Sequence, residues 1–177
     1  MQQLVVNGKT YNLIKLIGKG KGGYSYLAEC GGNFVVIKKI HHEPCDYYQF
    51  GDKMQAELHD YQTLLRIGIP MPQLLDYDIQ QEIIVKQYID GLTVYQMVLQ
   101  GTLPQTCVEQ VQQMCQKLYQ NNTNIDYFPT NFVLQKDILY YIDYECNTYM
   151  EEWNFENWGV KYWSQTLEFL QYAKEHQ

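Results

Sequence analysis

A chain of 177 residues, 46% hydrophobic and 15% aromatic, can bury a core as one domain or as two small lobes, which excludes a disordered protein. Thirteen basic against 20 acidic residues leave a net charge of −7; this argues against nucleic acid as a partner, and an anionic ligand would have to be met by locally gathered cations and a metal ion. Cys30, Cys45, Cys107, Cys115 and Cys146 form an odd set without a C-x-x-C pair, the opening MQQLVVNGK has no signal-type leader, and no apolar run reaches membrane-spanning length. The expected setting is the cytoplasm, with free thiols and no membrane partner.

Asn7-Gly8 lies between apolar runs and suits the positive φ angles of a tight hairpin. Further strands are predicted near 11–18, 24–30 and 33–41, the last two joined by Gly31-Gly32, which gives an antiparallel meander. From Asp52 the period changes. Met54, Leu58, Tyr61 and Leu65 recur at helical spacing, Asp52 with Gln55 resembles a capping box, and Gly68, Pro70 and Pro72 stop the helix. Glu57 falls on the apolar stripe of that helix, where a carboxylate needs a partner. Strands at 74–77 and 83–88 complete the sheet.

Past Asp90-Gly91 the pattern is mainly helical. Thr106-x-x-Glu109 reads as a capping box opening a helix whose apolar face is Val108, Val111, Met114, Cys115 and Leu118. Segments 132–134 and 139–142 read as a hairpin turning at 135–137, and Trp163, Leu167 and Leu170 mark a last helix. Trp153, Phe155, Trp158 and Trp163 either fill the core of this half or form a docking surface. The expected class is α+β: a sheet with one helix over 1–88 and a small, mainly helical part over 89–177.

Five pieces of this chain suit phosphate chemistry. Gly18, Gly20, Gly22 and Gly23 between two strands let backbone N–H groups approach phosphate oxygens. In Val35-Val36-Ile37-Lys38, alternation sets Val36 and Lys38 on one face, so the lysine projects beside an apolar residue suited to packing on a base. Glu57 can hold that ammonium in place. Asp126, after a helix, can accept the proton of an attacking hydroxyl, while Asn131 and Asp143 offer oxygens to Mg2+. Asp126 and Asn131 also suit a simple capped turn. His41, His42 and Cys45 lie close enough in sequence to raise a transition-metal site, but no fourth ligand falls at a familiar spacing.

In this order the pieces resemble the protein-kinase superfamily, from about Tyr11 to Asp143. Gly18-Lys-Gly-Lys-Gly-Gly-Tyr-Ser-Tyr-Leu-Ala28 is similar to the kinase glycine loop, Val35-Val36-Ile37-Lys38 to V-A-I-K, Asn124-Ile125-Asp126 through Asn131 to H-R-D-x-x-x-x-N, and Asp143-Tyr144-Glu145 stands where D-F-G is expected. The resemblance implies a bilobal fold with ATP between the lobes and a hinge near Gln87, Tyr88 and Ile89. It also implies that Lys38 and Glu57 orient the phosphates, that Asp126 is the base, and that Asn131 and Asp143 hold magnesium. Asn124 replaces the usual histidine, Phe128 a common lysine, and no A-P-E follows. The chain is therefore more similar to compact, atypical members such as RIO-type kinases and the aminoglycoside and choline phosphotransferases. The implied acceptor is first a serine or threonine of a protein, the chain's own included, and second a small-molecule hydroxyl. The third expectation is a kinase-like module that binds nucleotide or a partner without catalysis.

Overall fold

Asn7 and Gly8 adopt φ angles of 49° and 81°, the left-handed pair that a two-residue hairpin requires, and join β1 (Gln3–Val6) to β2 (Lys9–Lys19). Gly31 and Gly32, at 58° and 85°, do the same between β3 (Gly23–Cys30) and β4 (Asn33–Ile40). With β5 (Leu74–Asp78) and β6 (Ile83–Gln87) these strands form an antiparallel sheet of order β1-β2-β3-β4-β6-β5. The computed structural model describes residues 2–43 and 52–177.

The chain divides into two compact units: Met1–Leu58 with Pro72–Tyr88, and His59–Met71 with Ile89–Gln177. In the first, the sheet curls until its edges meet. Asn7 donates through Nδ2 to Asp76 Oδ1 at 2.7 Å and to Tyr77 O at 3.0 Å, and Gln81 Nε2 donates to Val5 O at 3.0 Å. The concave face holds the core residues Val6, Tyr11, Leu13, Ala28, Val35, Ile37, Ile83 and Val85. Because strand side chains alternate, Val36 and Lys38 lie on the other face, where the ladder sets Ser25 and Ile84 opposite Lys38 and Lys86 opposite Val36.

The helix α1 (Lys53–Ile67) starts as its sequence requires, Asp52 Oδ1 accepting the Gln55 N–H at 3.0 Å. Its first residues belong to the first unit, with Met54 and Glu57 buried, and its remainder to the second. There the structure corrects the expected face: Leu64, not Leu65, is fully buried, a placement that contributes roughly 1.5–3 kcal/mol for a side chain of this size. The helix ends at Gly68, φ 94°, with the N–H groups of Gly68 and Ile69 both returning to Leu64 O.

In the second unit β7 (Leu92–Thr93) leads into α2 (Val94–Gln100), opened by a Thr93–Gln96 capping box that the sequence reading did not single out. The box expected at Thr106 and Glu109 does not form. The helix α3 (Gln105–Gln120) starts directly after Pro104, which leaves Thr106 inside the first turn. The remaining strands are β8 (Thr123–Asn124), β9 (Phe132–Gln135), β10 (Ile138–Tyr141) and β11 (Asn147–Thr148), arranged as a sheet β10-β9-β7 and a pair β11-β8. Lys136 and Asp137, φ 48° and 68°, close the β9–β10 hairpin. The last helix, α4 (Leu167–Glu175), again presents a different residue from the one expected: Leu167 is 85% exposed and Leu170 is exposed, whereas Phe169 is buried. Phe155 and Trp163 join the core with the buried faces of α2 and α3, while Trp153 stays exposed.

The architecture is thus α+β, with a curled antiparallel sheet and four α-helices among the described residues. No described helix is long and apolar enough to cross a membrane.

Candidate functional site

Each unit carries one group of the sequence-predicted residues. In the first, Lys38 Nζ lies 2.7 Å from Glu57 Oε1, with side-chain exposures of 14% and 9%. The strand alternation that turns Val35 and Ile37 into the core turns Lys38 toward α1, and the apolar stripe of α1 carries Glu57 inward. Val36 is buried on the same strand face. Opposite it stands Lys86, 6% exposed, a second cation that the sequence reading missed. Its signal was a lysine closing the apolar run Ile83-Ile84-Val85, next to the strand that bears Lys38.

The glycine tip joins β2 and β3 and is anchored through its carbonyls. His41 Nε2 sits 2.8 Å from Gly20 O, the His41 N–H donates to Gly22 O at 3.2 Å, and Lys53 Nζ reaches Lys21 O at 3.4 Å and also His41 O. In a trans peptide the N–H opposes the C=O, so the N–H groups after Gly20 and Lys21 point away from these anchors. Gly23 has a separate role. A Cβ there would lie 2.8 Å from Lys39 O, 3.1 Å from Lys38 Cε and 3.2 Å from Lys38 Cγ, so the glycine makes room for the lysine stem. A Cβ added at Gly22 would meet open space, one at Gly20 nearly so, and one at Gly18 only ordinary contact with Ser25.

His41 is therefore an anchor of the tip, and His42 Nε2 lies 2.7 Å from Glu82 Oε1. Cys45 lies outside the described residues, and among those described no three His, Cys, Asp or Glu side chains gather for a metal ion. At the end of the unit, Gln87 exchanges hydrogen bonds with Gln73: its N–H donates to Gln73 O at 2.9 Å and its Oε1 accepts the Gln73 N–H at 3.1 Å. Tyr88 closes the first unit, and the buried Ile89 opens the next stretch of the second.

In the second unit, Asp126 lies two residues beyond β8, Asn131 ends the short 3-10 turn Pro129–Asn131 that leads into β9, and Asp143 lies two residues beyond β10. Asp126 Oδ1 accepts the Phe128 N–H at 3.1 Å and Asp143 Oδ1 accepts the Tyr144 N–H at 2.9 Å, so each carboxylate is set on its own turn. Asn131 ties the two turns together: its Nδ2 donates to Asp126 O at 3.3 Å and its O accepts the Ile142 N–H at 2.9 Å. With the amide nitrogen so used, Asn131 Oδ1 remains as a hard oxygen donor. One amide oxygen and one carboxylate, on segments joined by a backbone hydrogen bond, suit a hard divalent cation with water completing the shell.

Two further groups went unread in the sequence. Tyr141 is fully buried, its hydroxyl donating to Glu145 O at 2.8 Å and accepting the Asp126 N–H at 3.4 Å. Burial first, then the charges of Asp143, Asp126 and Glu145, hold that hydroxyl well above its ordinary value and hence protonated. Asp60 Oδ2 accepts the Cys146 N–H at 3.2 Å, and burial followed by this carboxylate pushes the Cys146 thiol up to about 12. Within the run Leu139-Tyr140-Tyr141-Ile142 the sequence offers two adjacent tyrosines, and alternation alone assigns Tyr141, paired with Phe132, to the buried face.

No protein-family model matches the chain, and no curated protein matches it either.

Proposed function

We propose that the protein is an ATP-dependent phosphotransferase of kinase-like architecture, acting on a serine or threonine hydroxyl of a protein, its own chain included, ahead of a small-molecule hydroxyl. The observation that carries this reading is the ion pair of Lys38 and Glu57, 2.7 Å apart and shielded from water. Burying two charges costs several kcal/mol per ion even after relaxation, on the order of what a close partner returns, so stability alone gives little reason to keep the pair. An oriented cation for a polyphosphate gives one.

In this reading Lys38, held by Glu57, neutralises phosphate oxygens, and the glycine tip offers backbone N–H groups to the same ligand. Asn131 and Asp143 would hold Mg2+, which when bound offsets the charge that spreads over the phosphoryl oxygens. Asp126 takes the proton of the acceptor hydroxyl as its oxygen bonds to the γ-phosphorus and the bond to ADP breaks. A base so placed typically contributes about 100- to 10,000-fold. The free thiols of Cys30, Cys107, Cys115 and Cys146 support a reducing, cytoplasmic setting.

Incubation with γ-labelled ATP and Mg2+ tests the reading. Label should enter a protein band with the wild type and be lost in Asp126→Asn, while the variant still binds nucleotide. Binding without transfer to any protein or small acceptor would leave a non-catalytic nucleotide-binding module instead.

A further inference from the structure

The Tyr141 hydroxyl stands between the two turns that carry Asp126 and Asp143. It donates to Glu145 O at 2.8 Å and accepts the Asp126 N–H at 3.4 Å. The ring packs with its centroid 5.3 Å from that of Phe132, and a phenylalanine would fill the same space. The oxygen therefore has a purpose other than packing. Each carboxylate is already fixed to its own turn by a backbone N–H, Asp126 by that of Phe128 and Asp143 by that of Tyr144. What remains to be set is the placement of one turn against the other. Asn131 links them on one side, through Asp126 O and the Ile142 N–H, and the Tyr141 hydroxyl links them again through the Asp126 N–H and Glu145 O.

We propose that Tyr141 is a positioning residue, whose hydroxyl holds the base Asp126 and the cation-binding Asp143 in one fixed relation. The structural half rests on hydrogen bonds alone; the functional half rests on the phosphotransferase reading. Removing the hydroxyl deletes its two hydrogen bonds, to the Asp126 N–H and to Glu145 O, so both turns open more often. A part-buried hydrogen bond of ordinary strength corresponds to roughly a fivefold change in an opening equilibrium.

The test compares Tyr141→Phe with wild type and with Tyr140→Phe, which alters the neighbouring ring. Amide hydrogen exchange on the whole chain without nucleotide should accelerate roughly fivefold at Asp126 and across 142–146 in Tyr141→Phe, with α3 unchanged. Tyr140→Phe should leave both alone. The gain in ATP affinity that Mg2+ confers should fall by a similar factor, about fivefold, in Tyr141→Phe, with metal-free affinity unchanged. Unaltered local exchange, or exchange raised equally in α3, overturns the proposal. Faster local exchange with an undiminished Mg2+ gain overturns the functional half. A wild type that gains no ATP affinity from Mg2+ defeats the phosphotransferase reading instead, while the exchange difference still decides what the hydroxyl holds.

Discussion

Gly23 leaves the space in which the stem of Lys38 lies: a methyl group added there would stand 3.1 Å from Lys38 Cε and 2.8 Å from Lys39 O. Because one of these neighbours is backbone, the strand itself has to give. Gly23→Ala should destabilise the protein by about 1–3 kcal/mol, the range for overpacking a filled site, and displace the ammonium that Glu57 holds. Gly22→Ala, which meets nothing within 4 Å, should stay within about 0.5 kcal/mol of wild type. Urea denaturation of the two variants checks the contrast, and equal losses would refute it.

Glu57→Ala strips Lys38 of a carboxylate 2.7 Å away in a place nearly closed to water. Removing one member of a buried pair costs about 3–5 kcal/mol, whereas replacing both by apolar residues of similar size is often neutral. The double variant Lys38→Met with Glu57→Leu should therefore be more stable than Glu57→Ala and yet bind no ATP. Chemical denaturation paired with nucleotide titration separates the two effects.

Gly91 permits β9 to pass its backbone. A Cβ there would lie 2.1 Å from Leu134 O, closer than any contact allows, so Gly91→Ala must shift the β7–β9 pairing. We expect a loss of at least about 2 kcal/mol, with hydrogen exchange raised at Leu92 and Val133. A thermal midpoint equal to wild type would contradict this.

Stability should fall in alkali through two thiols, the buried Cys115 and the half-buried Cys146. Burial pushes Cys115 up to about 11 and Cys146 up to about 12, both from an ordinary 9.0. The folded state holds these protons more tightly than the unfolded chain, so the contribution is complete below pH 9.0 and is lost as the pH rises through the folded values. Half-buried Tyr119 and buried Tyr127, also raised by burial, add to the same trend at higher pH. Urea midpoints should be level from pH 7 to about 9 and decline above it, and less steeply in Cys146→Ala. A level profile to pH 11 would speak against tight burial of the thiols.

Much of the fold was legible because local rules set it. Asn7-Gly8, Gly31-Gly32 and the Asp52 cap each act within a few residues, and each forms the turn or helix start that its chemistry favours. The Lys38–Glu57 pair was legible for a related reason: a carboxylate on an apolar helical stripe demands a cation, and strand alternation supplied one. What stayed hidden depends on distant neighbours. Leu64 and Leu65 are equally apolar, and the core packed against α1 selects the first. Phe169 over Leu167 and Leu170 is the same kind of choice, made by Tyr95 and the helix packing around it. Thr106 looked like a helix cap until Pro104 started the helix earlier. Tyr141 and Lys86 carry polar groups inside apolar runs, and only their partners distinguish such groups from misplaced surface residues.

The proposed phosphotransferase reading requires that Lys38 neutralise phosphate oxygens of ATP and that Asn131 and Asp143 hold Mg2+. Calorimetric titration of ATP with and without Mg2+ into wild type, Lys38→Met and Asp143→Ala tests it most directly. The account predicts that Mg2+ strengthens ATP binding to wild type at least tenfold, that Asp143→Ala loses this gain, and that Lys38→Met weakens binding with or without the metal, by about 1.4 kcal/mol for each factor of ten. A wild type indifferent to ATP and Mg2+, or an Asp143→Ala that keeps the full gain, would contradict it.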